Sequence, residues 1–240
     1  MAETNEPLTI AAIGDVHAGK DAVTELRPLF REIAERADVL ALCGDLTNLG
    51  TRPEAEALAA ALEGFGKPVV AVLGNHDHES GTPEAVEEPL RAVGVRFLEH
   101  ETCTIRGVGF AGVKGFAGGF GRFMLSGFGE AATKAFVHEA VEQALRLETA
   151  LAGLENKRLC VVLHYAPIAE TVAGEPLEIF PFLGSSRLAE TIDRFEVAAV
   201  VHGHAHHGPF AGKTPRGTPV YNCAAMVKKD TGRPYALLRI

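Results

Sequence analysis

Carboxylate, amide and imidazole side chains recur in this chain as five short clusters: Asp15-Val16-His17, Asp45-Leu46-Thr47-Asn48, Asn75-His76-Asp77, His164, and His202-Gly203-His204-Ala205-His206-His207. Imidazole is the commonest protein metal ligand. Asp and His donors with one amide oxygen suit Mn, Fe, Zn or Co, whereas an all-oxygen set would indicate Mg or Ca. A carboxylate can bridge two cations. Two ions about 3.5–4 Å apart can bind a shared hydroxide and clamp both oxygens of an in-line displacement at phosphorus. The chemistry open to these residues is therefore metal-assisted hydrolysis.

Every cluster follows an apolar run that reads as a strand: Leu8–Ile13, Val39–Cys43, Val69–Leu73, Leu159–Leu163 and Val197–Val201. Helical spacing of apolar residues over Asp21–Ala37, Pro53–Leu62 and Pro83–Val93 separates the first strands. This β-α-β-α-β series predicts a mainly parallel sheet, and such sheets build ligand sites at strand carboxyl ends. Gly14, Gly44 and Gly74 are expected to let the chain turn sharply out of each strand. Asp15 with His17, and His204 with His206, are one residue apart, so an extended exit would aim both into one pocket.

Further along, Val95–Leu98, Thr102–Ile105 and Val108–Val113 read as an antiparallel meander with tight glycine links. Gly115–Gly129, rich in Gly and Phe and carrying Lys114 and Arg122, reads as a loop that forms a pocket wall or an oligomer interface. A long helix is expected over Glu130–Leu154, an irregular stretch over Tyr165–Ser185, and a helix capped by Ser186 running to Phe195. Val220–Cys223 and Tyr235–Ile240 complete the strands. With no repeat and no linker, residues 1–240 read as a single domain.

Hydrophobic residues make up 47% of the chain and charged residues 22%, with a net charge of −8. This composition fits a soluble globular protein and argues against nucleic acid as an electrostatic partner. No run approaches the roughly 20 apolar residues of a membrane span. Met1–Pro7 is polar and acidic, unlike a signal peptide, so the expected location is the cytosol. Cys43, Cys103, Cys160 and Cys223 are scattered and read as small buried hydrophobes in a reducing compartment.

Taken in order from residue 14 to residue 206, the motifs Asp-x-His, Gly-Asp-x-x-Asn, Gly-Asn-His-Asp, His and Gly-His-x-His resemble those of the calcineurin-like metallophosphoesterase family. The resemblance implies a four-layer α/β/β/α sandwich, two mixed sheets flanked by helices, with a dinuclear centre at the strand C-terminal ends. By that resemblance Asp15, His17 and His206 are ligands of one ion. Asn75, His164 and His204 are ligands of the other, and Asp45 bridges them. A bridging hydroxide would be the nucleophile, and His76 would protonate the leaving group or stabilise the phosphoryl oxygens, with Asn75 also touching phosphate. Many relatives have Asp where this chain has Asn48, and in some it orients the histidine. Asn48, Arg122 and His207 are candidate substrate contacts, while His202 is assigned to packing or support of the ligands. The expected activity is that of a metal-dependent phosphatase or phosphodiesterase acting on a small-molecule phosphate ester. A non-catalytic metal-binding scaffold of the same fold and a nuclease are the alternatives.

Overall fold

The computed structural model describes residues 6–155, 158–227, 229 and 231–240. Met1–Asn5, most of the segment expected to lack a signal sequence, lie outside them. Among the described residues no helix is long and apolar enough to cross a membrane.

The amino-terminal half alternates strand and helix: β1 (Thr9–Ile13), α1 (Val23–Arg36), β2 (Val39–Cys43), α2 (Arg52–Leu62), β3 (Val69–Val72), α3 (Glu84–Ala92) and β4 (Val95–Phe97). The chain then builds a hairpin of β5 (Cys103–Ile105) and β6 (Val108–Val113), a 22-residue helix α4 (Ala131–Ala152), and β7 (Arg158–Leu163). Two helices follow, α5 (Phe180–Leu183) and α6 (Ser186–Ile192). The last strands are β8 (Val197–His202), β9 (Ala211–Lys213), β10 (Pro219–Asn222) and β11 (Ala236–Arg239).

Two mixed sheets result, ordered β11-β1-β2-β3-β4 and β5-β6-β7-β8-β10-β9. In the first, β1 to β4 are parallel and β11 joins antiparallel. In the second, β6, β7, β8 and β10 are parallel, with antiparallel strands at both edges. Strand periodicity sorts side chains between two environments. Ile10, Ala12, Val70 and Val72 point into the core between the sheets and meet Phe110, Cys160 and Val162. Their neighbours Ala11, Ile13, Leu40 and Leu42 pack outward on Leu26, Phe30, Ile33 and Leu58 of the helices. On the far side Val161, Leu163 and Val200 pack on Leu147, Leu151, Leu188 and Ile192. The layers are therefore α/β/β/α. All four cysteines are free and buried, and burial pushes the Cys160 thiol up to about 12.

Three expectations need correction. There is no β4-β5-β6 meander: β4 closes a β-α-β unit and pairs parallel with β3, while β5 belongs to the other sheet. Leu98 and Cys103, both buried in the inter-sheet core, flank the crossing. The cap of α6 is Ser185, whose Oγ accepts from the Arg187 N–H, and the helix ends at Ile192. The short edge strand β9, exposed and containing a glycine, carries no sequence signal that distinguishes it from a loop.

Candidate metal centre

The strand exits are not extended. Among the described non-glycine residues only Asp15, His17, Asp45, Arg106 and His204 have positive φ (56°, 46°, 48°, 48° and 69°). Four of these five are expected ligands. Asp and His tolerate the left-handed region better than most residues, and strain of this kind gathers at functional sites. The turns are held side by side by main-chain hydrogen bonds from Asp15 N–H to Gly44 C=O, His17 N–H to Asp45 C=O and Gly203 N–H to His164 C=O.

The glycines have different jobs. Gly44 adopts φ +78°, and a Cβ there would meet the His164 ring at 2.5 Å. Gly74 has no such φ; a Cβ would lie 2.1 Å from Asp45 Oδ1, so it is there for close approach rather than for turning.

Asp45, almost wholly buried, sits between two imidazoles. Its Oδ1 is 3.4 Å from His164 Nε2, and its Oδ2 is 3.9 Å from His17 Nε2. Donor atoms within 4.8 Å of one another group as Asp15, His17 and His206, as Asp45, His164 and His204, and as His17, Asp45 and His76. The first group draws Asp15 and His17 from the β1 exit and His206 from the β8 exit. The second draws Asp45 from the β2 exit, with His164 and His204 from β7 and β8. Asn75 joins the second group, its Oδ1 lying 2.9 Å from His164 Nε2.

Hydrogen bonds aim these donors. His164 Nδ1–H donates to Cys43 C=O (3.0 Å), which leaves the Nε2 lone pair facing the oxygens of Asn75 and Asp45. His204 Nε2–H donates to Phe182 C=O (3.2 Å), leaving Nδ1 for the cluster. Such partners fix tautomer and ring orientation in metal sites. Three lone pairs converging near His164 are mutually repulsive until a cation lies among them. The buried His17 Nδ1 has no hydrogen-bond partner. The donor set thus fits a pair of divalent transition-metal ions.

Ionisation agrees. Burial, offset in part by Asp45, lowers the His17 pKa, and burial carries His204 down to about 3. For Asp15 the penalty of burial is outweighed by the His206 hydrogen bond (3.0 Å), the charges of His164 and His206 and the His204 N–H, so its pKa falls. The same Asp15 hydrogen bond raises His206. The shifts of Asp15, His17 and His204 thus favour the deprotonated form that metal binding requires, while that of His206 runs the other way.

His76 stands beside this cluster, its ring edge-on to His17 with centroids 4.5 Å apart and its Nε2 4.0 Å from Asp45 Oδ2. Its Nδ1 is held by the main-chain carbonyl of Asn48, not by the Asn48 side chain. Asp77 is wholly buried and accepts from Leu46 N–H, Gly74 N–H, Thr47 N–H and the Thr47 hydroxyl, so it locks the β2 exit to the β3 exit. His202 lies outside the cluster: Nδ1–H donates to Gly203 C=O and Nε2 accepts from the Thr171 hydroxyl, which props the following loop. Burial pulls its pKa down to about 4.

Arg122 is exposed and lies over the Phe123 ring, and His207 is exposed with its N–H on Glu175. Tyr165 was not singled out in the sequence; it follows His164 and packs its ring 4.4 Å from that of His204. Lys114, read there as part of the Gly- and Phe-rich loop, directly follows β6.

Two donor groups, with Asp45 facing an imidazole of each, lie at the strand carboxyl ends of a two-sheet α/β sandwich. The chain belongs to the calcineurin-like phosphoesterase family, whose sequence profile matches residues 8–208. It is 42% identical over 87 residues to a symmetrical bis(5'-nucleosyl)-tetraphosphatase of Nitrosococcus oceani, a match spanning 35% of this chain and 30% of that relative. Its fold resembles a putative 5'-nucleotidase of Staphylococcus aureus (TM-score 0.56, 12% identity, 97% of this chain and 53% of the other). It also resembles the purple acid phosphatase PPD1 of yellow lupin (TM-score 0.53, 13% identity, 86% of this chain and 39% of the other).

Proposed function

We propose that the protein hydrolyses a small-molecule phosphate ester, with Asp15, His17 and His206 holding one divalent ion, Asn75, His164 and His204 the other, and Asp45 between them. The observation that carries this reading is the placement of Asp45, each of whose oxygens faces a different donor group. Two such ions, when bound, supply a water nucleophile active at neutral pH and neutralise charge at phosphorus. The chain's own residues do the rest. Asn75 can turn its amide N–H to a phosphoryl oxygen. His76, anchored through Nδ1–H, presents Nε2–H to the leaving oxygen as the P–O ester bond breaks, and the proton passes to the departing alcohol.

The Nitrosococcus relative's name supports a nucleotide-like substrate with a phosphodiester or phosphoanhydride link. The net charge of −8 supports a small substrate over a polynucleotide. Four free, buried thiols support a reducing compartment such as the cytosol.

The test is hydrolysis of aryl phosphate mono- and diesters by protein stripped with chelator and reloaded with Mn, Fe, Zn or Co. Activity should vanish on stripping and return with at least one metal. A folded protein inactive with every metal and both ester types overturns the reading.

A further inference from the structure

One side of the metal centre is walled by a run of aromatic rings that the donor chemistry does not use. Tyr165 lies 4.4 Å from His204, Phe116 5.8 Å from Tyr165, Phe136 5.0 Å from Phe116, and Phe182 6.1 Å from Phe136. The run closes on itself, because the Phe182 carbonyl is the hydrogen-bond partner of His204. It grades from buried to open: Tyr165 is buried, Phe116 and Phe136 are half-buried, and Phe182 is 55% exposed. A simple hydrophobic core would enclose its outermost ring.

Lys114 supplies an independent sign. Its Nζ stands 5.0 Å from the Phe116 ring and 5.2 Å from the Tyr165 ring, donates to Gly115 C=O, and among the described residues has no carboxylate within ion-pair distance. Glu139, Glu99 and Asp45 lie within its electrostatic reach. A half-buried cation without a carboxylate partner, beside aromatic faces and next to a candidate metal centre, fits a ligand that is both anionic and aromatic.

The geometry points to this wall as the binding surface for the organic part of the substrate, which is a planar aromatic or heteroaromatic group such as a nucleobase, with the Lys114 ammonium facing a neighbouring anionic group. This rests on the phosphoesterase reading. A cavity of about 870 Å³ beside His17 is the alternative seat; it is lined by Val16, Leu26, Leu49 and Pro53 but by no aromatic ring other than the imidazole.

The test compares two ligands that differ only in the base. Phosphonate analogues of adenosine 5′-monophosphate and ribose 5-phosphate, in which a C–P bond replaces the cleavable link, are titrated by calorimetry into the metal-loaded protein. The wild type should bind the adenosine compound at least about fivefold more tightly, since stacking of a base on an aromatic side chain is worth that or more. Phe182→Ala should bring the ratio close to one, and because Phe182 is exposed this variant should fold. Lys114→Met should weaken a diphosphate analogue more than the monophosphonate. Equal wild-type affinity for the two ligands overturns the wall alone, as does loss of the preference in Leu49→Ala but not in Phe182→Ala. Failure of the wild type to hydrolyse any phosphate ester with any metal overturns the phosphoesterase reading and this inference with it.

Discussion

His76 Nδ1 lies 2.7 Å from the main-chain carbonyl oxygen of Asn48. Any residue at position 48 offers that oxygen, so the presence of an amide instead of a carboxylate leaves the anchoring of the imidazole intact. Asn48→Ala should therefore keep kcat within about twofold of the wild type. His76→Ala should lose about 10²–10⁴ in kcat for esters with poor leaving groups, with less loss for activated aryl esters and with metal content unchanged. Steady-state kinetics across leaving groups, with metal analysis, checks both. Equal losses for all leaving groups would remove His76 from proton transfer.

Asp45→Ala should strip both ions, because its two oxygens face different donor groups. Gly74→Ala should produce the same loss while Asp45 remains, since the added Cβ would lie 2.1 Å from Asp45 Oδ1. Metal content after dialysis is the readout. Full occupancy of both ions in either variant would contradict the assignment.

Asp77→Ala should leave the N–H groups of Leu46, Thr47 and Gly74 without their acceptor in a buried place. The expected cost is at least about 3 kcal/mol of stability, from an unpaired buried donor penalty of about 1–3 kcal/mol for each of the three groups. Metal affinity should fall about 10–100-fold through misplaced ligand loops. Denaturant titration and metal titration measure the two effects.

The enclosed carboxyl of Glu99 accepts from the Leu73 N–H through Oε1, while Oε2 has no partner, and burial pushes its pKa up to about 8. The unfolded chain binds that proton less tightly, with a pKa of 4.5. The favourable linkage is therefore complete below about pH 4.5 and is lost as pH rises toward 8. Glu99→Gln keeps the acceptor and cannot ionise. It should stabilise the protein at pH 8 by roughly 2–4 kcal/mol, a figure reduced for partial exposure of the residue. At pH 4.5 it should have little effect. Melting curves at the two pH values decide it, and an equal effect at both would exclude ionisation as the cause.

Much of the candidate donor set was legible because Asp15, Asp45, Asn75, His164 and His204 each lie within three residues of the end of a short apolar strand. A strand end fixes where the next side chain goes, so residue type and position together were informative. What escaped was carried by the main chain. The Asn48 and Phe182 carbonyls orient His76 and His204, and a carbonyl leaves no trace in residue identity. The crossing between sheets at Leu98–Cys103 was hidden because the length of a link does not say which sheet the next strand joins. The left-handed turns at Asp15 and His204 were likewise invisible, since Asp and His serve equally well in extended backbone.

Two of the donor groups take members from both sheets: Asp15 and His17 meet His206, and Asp45 and Asn75 meet His164 and His204. Elsewhere the facing strands meet through apolar side chains, whose attraction has no direction. Ions bound at this end would act as a clasp between the two halves of the sandwich. Because an ion held by the native state alone stabilises it by mass action, the melting temperature of the domain becomes a gauge of free metal concentration. Without ions, the two sheets would be held at this end by main-chain hydrogen bonds and the Asp15–His206 and Asp45–His164 contacts.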